Sequence, residues 1–486
     1  MKVMSTGIAI LDTIIGGGIP VYSTNIIAGS PGSGKTILVQ QLMFNYIRQQ
    51  KEAKVLYLTT LSEPSLKVVR YMQKFDFFAP EAFGKQVIYA DIGGFLFDNP
   101  LLKLPQKIME LVDLHKPDIV TVDSFQAIDD LSKNRGEFRR LCYNLSVLLA
   151  SARCTTFLVS ESKREQIVNG AEFAIADGIF YLDISFTQQE VKRSLQVYKL
   201  RGQSPLMNAF PFRLSDRGIS ILSPSLSIKT KQFKPKDKNG LIATGINGLD
   251  PLLRGGIPRG RSLLLSGVSG TGKTTFALQF LAKGAELAEK GLLISFEESS
   301  DRLHQTANSF GWRFDELEQK GFLQIVFFPP TQIRVEEKLE EIIELVSQFQ
   351  PDRLVIDSFS VFLYKIKDPA IQREKIIQLT NLIQQCGAVG LLISDIPANT
   401  PDSLSRFGVE ETVVDGTILL STTKSNLPLS NQRMSRIRYL EVYKMRGINH
   451  ITGSHPFEIG ARGINILSNV NTEMINNNNN GIVMDR

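Results

Sequence analysis

Two glycine-rich segments place glycine, lysine and threonine at the spacing GxxxxGK[ST], each between an apolar run and an amphipathic one. Between a strand and a helix, such a loop cradles phosphates, because its backbone N–H groups and the helix N-terminus attract negative charge. The lysine reaches the β- and γ-phosphates, and the threonine hydroxyl ligates Mg²⁺. We therefore predict two sites for ATP and Mg²⁺. Their residues are Gly29, Ser30, Pro31, Gly32, Ser33, Gly34, Lys35 and Thr36 in the first segment, and Gly267, Val268, Ser269, Gly270, Thr271, Gly272, Lys273, Thr274 and Thr275 in the second.

An aspartate ends an apolar strand candidate downstream of each phosphate loop, Asp123 after IVTV and Asp357 after LVI. A carboxylate at the carboxyl end of a buried parallel strand lies at the phosphate-facing edge of the sheet. We expect Asp123 with Thr36, and Asp357 with Thr274, to hold the hydrated Mg²⁺ ion. A helix N-cap at the strand end is the alternative role for these aspartates.

The two halves differ at the end of the next strand candidate. In the second half GLLISF is followed by Glu297 and Glu298, and an adjacent carboxylate can orient and deprotonate the attacking water. The first half has Leu61 and Ser62 at the matching positions, and Glu63 substitutes only if the loop shifts by one residue. The sequence thus predicts that the first domain binds ATP mainly as a structural ligand. The second is predicted to hydrolyse ATP or transfer its phosphate.

Each half also carries a Lys-x-Arg-Gly motif on a late strand candidate, far along the chain from its own phosphate loop. A cationic pair at a sheet edge can reach the γ-phosphate of a docked neighbour, and an arginine finger is worth roughly 10³–10⁵ in rate. An edge strand that uses charge against aggregation is the alternative. The predicted catalytic residues are Glu297, Glu298, Lys273, Lys444 and Arg446, and Lys199 and Arg201 are predicted to contact the first nucleotide.

The elements that must position these residues are duplicated along the chain. TGIAILD recurs as TGINGLD, VTVDSF as LVIDSF, and VYKLRG as VYKMRG, always in the same order. Near-continuous apolar strand candidates that alternate with amphipathic stretches indicate an α/β fold, with a mostly parallel sheet, helices on both faces and an antiparallel edge. We predict one domain over 1–226, an exposed polar linker over 227–240, a second domain over 241–468, and a disordered asparagine-rich tail over 469–486.

The composition indicates a soluble globular protein, with 43% hydrophobic and 21% charged residues among 486. The chain has no run of about 18 apolar residues, so no membrane span is predicted, and its start lacks a cleavable signal pattern. Its three cysteines show no metal-binding spacing and are expected to be buried, in a reducing cytoplasm. A net charge of +6 over this length is not a nucleic-acid footprint.

Several of these segments together resemble the KaiC family. They are TGIxxLD and GGIP before the phosphate loops, FEES at the strand end, SFGW at 309–312 and RMSRIRYLEVYKMRG at 433–447, and the resemblance covers about residues 5–467. It implies two stacked RecA-like rings in a hexamer, with ATP at subunit interfaces and the Lys-x-Arg-Gly residues acting in trans.

The chain departs from the clock members of that family, which autophosphorylate an adjacent Ser-Thr pair in the second domain. That pair falls on Glu411 and Thr412. Glu411 cannot accept phosphate and already carries negative charge, so Thr412 is either a phosphoacceptor or a structural residue. The asparagine-rich tail does not resemble the family's partner-binding C-terminus. We therefore expect a homologue outside the timekeeping core, with a signalling or clock-related role through protein partners.

Three rival interpretations stay open at this stage. A DNA motor would need a basic channel, and the richest candidate is 424–446, which contains Arg433, Arg436 and Arg438. Salt-dependent binding to single-stranded DNA would favour it. In a non-catalytic scaffold, ATP would only hold the ring together, and phosphate release would be negligible. A serine/threonine autokinase would incorporate phosphate from labelled ATP.

Overall fold

A computed structural model describes residues 2–60, 65–168, 170–186, 191–234, 240–332, 334–424 and 436–467. The chain divides into two compact units, Met1–Leu226 and Ser227–Arg486. In the described part of the chain, no helix is both long and apolar enough to cross a membrane. All three cysteines are buried, as predicted.

The strands and helices of the first unit follow the predicted alternation. The strands are β1 Val3–Met4, β2 Ile19–Pro20, β3 Thr24–Gly29, β4 Val55–Thr59, β5 Val87–Asp91, β6 Ile119–Asp123, β7 Thr155–Glu161, β8 Gly178–Phe186, β9 Val191–Leu200, β10 Phe210–Ser215 and β11 Gly218–Ile221. The helices are α1 Ala9–Ile14, α2 Lys35–Gln49, α3 Ser65–Met72, α4 Gly93–Asp98, α5 Leu104–His115, α6 Gln126–Asp130, α7 Arg135–Ser151 and α8 Ala171–Ile175, with 3₁₀ turns at Pro80–Ala82, Leu101–Lys103 and Arg164–Val168.

The second unit repeats the order of the strands, and the helix that precedes them begins in the first unit at Pro224. Helix α9 is Pro224–Thr230, and the strands are β12 Leu241–Ile242, β13 Ile257–Pro258, β14 Ser262–Gly267, β15 Gly291–Ser295, β16 Leu323–Phe327, β17 Arg353–Asp357, β18 Val389–Asp395, β19 Gly416–Lys424, β20 Arg436–Met445, β21 Ser454–Gly460 and β22 Gly463–Ile466. The helices are α10 Leu249–Leu252, α11 Lys273–Glu286, α12 Ser300–Ser309, α13 Phe314–Gln319, α14 Val335–Phe349, α15 Phe359–Leu363, α16 Pro369–Cys386 and α17 Glu410–Val413, with a 3₁₀ turn at Pro330–Gln332.

Among the described residues, each unit has one large sheet of nine strands with the same topology. The order is β11-β10-β9-β8-β3-β7-β6-β4-β5 in the first unit and β22-β21-β20-β19-β14-β18-β17-β15-β16 in the second. The strands from the phosphate-loop strand outward to β5 or β16 are parallel. β8 and β19 are also parallel to it, and the antiparallel edge begins on their far side. The predicted fold class, a mostly parallel sheet with an antiparallel edge, is confirmed.

Helices cover both faces of each sheet because successive residues of a buried strand point to opposite sides. In the first unit, Ile27 of β3 shares a buried cluster with Leu38 of α2. Its neighbour Ile26 belongs to the cluster on the other face, with Ile108 of α5 and Leu141 of α7. The second unit has the same pair of clusters. The predicted phosphate loops, Mg²⁺ ligands and glutamate pair lie at the carboxyl ends of these parallel strands.

The segment predicted as an exposed linker, 227–240, departs from that expectation at its start. Helix α9 covers Pro224–Thr230, and Ser227 and Ile228 are buried. Ile228 packs in the second unit's core, and Phe233 lies against the same cluster. Two apolar side chains among the lysines are enough to anchor this stretch, which overall polarity did not reveal. Residues 235–239, and the predicted tail at 469–486, lie outside the described residues.

Candidate nucleotide-binding sites

The first phosphate loop connects the end of β3 to the start of α2. Gly32 and Gly34 have φ values of 74° and 103°, in the left-handed region that favours glycine. A Cβ on Gly29 would lie 2.1 Å from the carbonyl oxygen of Leu182, so the loop needs glycine there for close approach. The hydroxyls of Ser30 and Ser33 are buried without a hydrogen-bond partner among the described residues. Unpartnered buried hydroxyls fit a loop that is completed by a bound phosphate.

Lys35 lies at the base of this loop, with its side chain 6% exposed. Its Nζ donates to the carbonyl oxygen of Ser30 at 3.0 Å and lies 3.9 Å from Glu161 at the end of β7. Burial lowers the pKa of Lys35, and the charges of Glu161 and Asp123 act in the opposite direction. A desolvated ammonium with few partners gains most from an anionic phosphate. A cavity of about 410 Å³ opens beside it, lined in part by Thr36, Asp123 and Glu161.

Thr36 and Asp123 form the pair predicted to hold Mg²⁺. The Thr36 hydroxyl donates to Asp123 Oδ2 at 2.8 Å, which leaves the threonine oxygen lone pairs free for a metal. The phenol of Tyr57, on β4, donates to the same oxygen at 2.5 Å. Burial, followed by the charge of Asp123, raises the pKa of Tyr57 well above its usual value, so this phenol stays protonated and donates. Hydroxyl and carboxylate oxygens are the donors that Mg²⁺ prefers.

The second phosphate loop has two glycines in the same left-handed region and a closer charge partner for its lysine. Gly270 and Gly272 have φ values of 82° and 104°, and Lys273 begins α11. Lys273 Nζ donates to the carbonyls of Gly267 and Val268, at 2.9 and 3.0 Å, and pairs with Asp395 at 2.8 Å. Asp395 ends β18 and pairs in register with Gly267, the first residue of the loop, which brings its carboxylate to this lysine.

Carboxylates crowd the metal position of the second unit. The Thr274 hydroxyl donates to Asp357 Oδ2 at 3.0 Å. Burial raises the pKa of Asp357 to about 7, the Thr274 hydrogen bond opposes the rise, and the charges of Glu297, Asp395 and Glu298 add to it. Such mutual repulsion is relieved by a bound divalent cation, so the residues present fit Mg²⁺.

Glu297 and Glu298 directly follow β15, as predicted from the sequence. Ser295 organises this turn, because its hydroxyl accepts from the N–H of Glu298 at 3.0 Å and donates to the Glu298 carbonyl at 2.6 Å. Partial burial raises the pKa of Glu297, and the charges of Asp395 and Glu298 raise it further. A carboxylate whose pKa is raised is a stronger base and so a better proton acceptor.

The corresponding turn of the first unit can be aligned only up to its last described residue. Thr59 pairs with Asp123 as Ser295 pairs with Asp357, and the N–H of Thr60 donates to the Asp123 carbonyl. Counting two residues on from Thr59 and from Ser295, position 61 of the first unit corresponds to Glu297 of the second. Leu61, Ser62 and Glu63 themselves lie outside the described residues.

Two carboxylates in these sites, Glu161 and Asp395, were missed by the sequence reasoning. Each pairs in register with the glycine that opens a phosphate loop, Gly29 or Gly267. Both end apolar strands, TTFLVSE and VGLLISD, as the magnesium aspartates do. That signal could have found them. Tyr57 had no comparable signal, because a tyrosine inside an apolar strand is usual in a core.

The Lys-x-Arg-Gly motifs lie at the opposite end of each sheet from the phosphate loop of the same unit. Lys444 pairs with Thr417 near the start of β19, and Gly416 pairs with Leu263 near the start of β14. The phosphate loop begins four residues further along β14, about 13 Å away at the usual rise of a strand. In the first unit, Lys199 pairs with Ile179 near the amino end of β8. Neither pair therefore joins the site of its own unit.

Each pair contacts the short helix before the preceding strand. Lys444 donates to the carbonyls of Glu411 and Val414, at 3.0 and 3.1 Å, and Arg446 donates to that of Thr412 at 3.2 Å. In the first unit Lys199 donates to Ala174 and Arg201 pairs with Asp177. Burial, and then the adjacent arginine, lowers the pKa of Lys199 and of Lys444. Two cations side by side would be stabilised by an added anion.

The predicted phosphoacceptor position lies in helix α17, next to this pair. Thr412 is exposed, its hydroxyl donates to the Val409 carbonyl at 2.7 Å, and Arg373 donates to that hydroxyl at 2.8 Å. Glu411 accepts a hydrogen bond from Ser405 at 2.5 Å.

The basic stretch considered for DNA, 424–446, is only partly described. Arg433 and the side chain of Arg436 lie outside the described residues, and Arg438 is on β20.

Comparison with known proteins agrees with this duplicated arrangement. A sequence model of the KaiC ATPase family matches residues 4–225 and 242–471. The chain is 28% identical over 480 residues to the circadian clock oscillator protein KaiC of Parathermosynechococcus lividus, covering 95% of this chain and 84% of that protein. It is 28% identical over 479 residues to the circadian clock oscillator protein KaiC 1 of Synechocystis sp., covering 94% and 87%. Identity to the Nostoc sp. KaiC is 27% over 466 residues, covering 93% and 86%.

Proposed function

Since the chain belongs to the KaiC family of ATPases, we propose that it is an ATP-hydrolysing ring in which the second domain performs the hydrolysis. The first domain binds Mg·ATP mainly to hold the ring together. The observation that carries this proposal is the group of carboxylates around Lys273. Asp357 is hydrogen-bonded to Thr274, Asp395 is paired with Lys273, and the two glutamates adjoin them.

Each of these side chains has a task that follows from its position. Lys273 leaves Asp395 for the β- and γ-phosphates, where it neutralises developing charge. The Thr274 hydroxyl continues to donate its hydrogen bond to Asp357, so its oxygen lone pairs face Mg²⁺. The metal ion supplies charge neutralisation when bound. Glu297 or Glu298 accepts a proton from the attacking water, helped by the raised pKa of Glu297. In the first domain, the amino acids at the matching positions, Leu61 and Ser62, cannot accept that proton.

Assembly into a ring completes each site, according to this proposal. The Lys-x-Arg-Gly pair lies at the amino ends of the parallel strands of its sheet, and the phosphate loop lies at their carboxyl ends. In a head-to-tail ring, one subunit presents the pair where the next presents the loop. Lys444 and Arg446 then contact the nucleotide of an adjacent copy, and Lys199 and Arg201 do the same in the first domain. The ring is a hexamer, as the resemblance implies, in the cytoplasm, with output through a signalling partner rather than timekeeping.

Replacing Glu297 and Glu298 together with glutamine tests the hydrolytic assignment. We expect turnover to fall about 100-fold or more, because a positioned general base contributes that much, while ATP still binds. Phosphate release and nucleotide binding would be measured on the same preparation. The matched control is Glu316→Gln, an exposed glutamate of α13 that pairs with Arg313. Undiminished turnover in the double variant would refute the assignment, and the two single variants identify which glutamate is the base.

Autophosphorylation of Thr412 is a second candidate function, favoured by one contact. Arg446 donates to the carbonyl oxygen of Thr412, so the exposed acceptor adjoins the group that we place at a neighbour's γ-phosphate. Transfer would form a bond from Thr412 Oγ1 to the γ-phosphorus while the bond from that phosphorus to the β,γ-bridging oxygen breaks, so that ADP leaves and the hydroxyl proton passes to solvent. Incubation with labelled ATP is expected to label the protein, and Thr412→Val should remove that label. Label that persists in the variant, or no label at all, rules this residue out.

A further inference from the structure

A small polar cluster lies in the core of the first unit, beneath the phosphate-loop helix. Tyr57 of β4 and Tyr89 of β5 pair in register, and their rings lie 5.1 Å apart. The Tyr89 phenol donates to Gln40 Oε1 of α2 at 2.7 Å, and the Tyr57 phenol donates to Asp123. The cluster is thus connected to the metal position through Tyr57.

The second unit has only aliphatic side chains at the equivalent positions. Leu293 and Ile325 pair in the same register as Tyr57 and Tyr89. The equivalent of Gln40 is Leu278, because each follows the lysine of its phosphate loop by five residues. The counterparts of Gln40, Tyr57 and Tyr89 are therefore Leu278, Leu293 and Ile325, in that order. Of these, Leu278 and Leu293 are buried. The same fold therefore packs with apolar side chains at these three positions in the second unit, so the core itself does not require a tyrosine hydroxyl.

The polar residues need another explanation, because burying hydroxyl and amide groups costs free energy unless they are hydrogen-bonded. Tyr57 is 0% exposed, yet its phenol is 2.5 Å from the carboxylate that Thr36 also contacts. Both donors bind Oδ2 of Asp123, so that oxygen is held from two directions. Groups in this outer position orient the residues that face a metal, and their loss typically weakens metal affinity about 10–100-fold.

We propose that Tyr57 is a positioning residue of the first site. Its phenol fixes the carboxylate of Asp123 for Mg²⁺, so that this site retains bound Mg·ATP. The proposal rests on the function given above for the first domain. The second domain has no such donor at Leu293, and it has the two glutamates instead. The duplicated pockets thus differ in two ways, with a fixed magnesium anchor in one and a water-activating pair in the other.

The Mg²⁺ requirement for nucleotide binding tests this role separately from catalysis. In full-length Lys273→Ala protein, which leaves the first loop intact, binding of a fluorescent mant-ATP would be titrated with MgCl₂. Tyr57→Phe keeps the buried ring and removes only the hydroxyl. We expect it to raise the midpoint Mg²⁺ concentration about 10-fold, with unchanged mant-ATP binding in EDTA.

Tyr89→Phe is the matched control, because it removes a partly buried phenol that hydrogen-bonds Gln40. It should leave the Mg²⁺ midpoint unchanged. An unshifted midpoint in Tyr57→Phe, or an equal shift in Tyr89→Phe, would overturn the proposal. Combining Tyr57→Phe with Asp123→Asn should add little to Asp123→Asn alone, and full additivity would also contradict it. If the Lys273→Ala parent shows no Mg²⁺-dependent binding, the function proposed for the first domain fails before Tyr57 is tested.

Discussion

Lys273→Ala is expected to reduce ATP turnover of the assembled protein at least about 100-fold, since it removes the charge that neutralises the transferring phosphate. The side chain is 7% exposed and lies 2.8 Å from Asp395. Its loss therefore removes the cation that pairs with Asp395, beside Asp357 and the two glutamates. Phosphate release per chain, measured at saturating Mg·ATP, is the readout. Lys283→Ala, on the exposed side of the same helix and paired with Glu286, is the matched control.

Lys35→Ala is expected to behave in the opposite way, because the first site is assigned to assembly. Mass by light scattering, with and without Mg·ATP, should show a weaker ring for this variant. At concentrations where it does assemble, turnover per chain should stay within about twofold of the parent, since we assign the hydrolysis to the second domain, which this variant leaves intact. Equal loss of turnover in the two lysine variants, with assembly intact in both, would contradict the division of labour.

Arg446→Ala is expected to lower turnover about 1,000-fold while the ring still forms, as for the loss of an arginine finger. Arg446 lies at the amino end of its sheet, and its guanidinium contacts the carbonyls of Thr412 and Val413. A defect in the second domain's own phosphate loop is therefore not expected, and mant-ATP binding should persist. Arg201→Ala, at the equivalent position of the first domain, should affect ring stability more than turnover.

Mixing the two inactive variants distinguishes action in trans from action within one chain. A ring containing Lys273→Ala and Arg446→Ala subunits has some interfaces where an intact loop meets an intact arginine. With random mixing these are about one quarter of all interfaces, so roughly that share of parent turnover should return. No recovery after verified subunit exchange would mean that the arginine serves its own chain, against the proposed ring.

The fold could be predicted because its signals are local. Buried parallel strands appear as short apolar runs, and the phosphate loop is a contiguous segment whose glycines are needed for backbone reasons. The pairing of Thr36 with Asp123 followed from a general rule about strand ends, and the structure brings these residues together. Polarity along 227–240 was a weaker guide, because two apolar residues anchor a segment that is otherwise rich in lysine.

The sequence by itself thus determined the duplication, the α/β fold and the two phosphate loops, and it places Leu61 and Ser62 where the second half has Glu297 and Glu298. Only the tertiary structure decided which distant side chains meet. Tyr57 reaches Asp123 across 66 residues, Lys273 pairs with Asp395, and Arg446 lies at the far end of the sheet from its own loop. The physical reason is that strand order and register set these contacts. Both depend on how the whole sheet packs, and no short window of sequence contains that information.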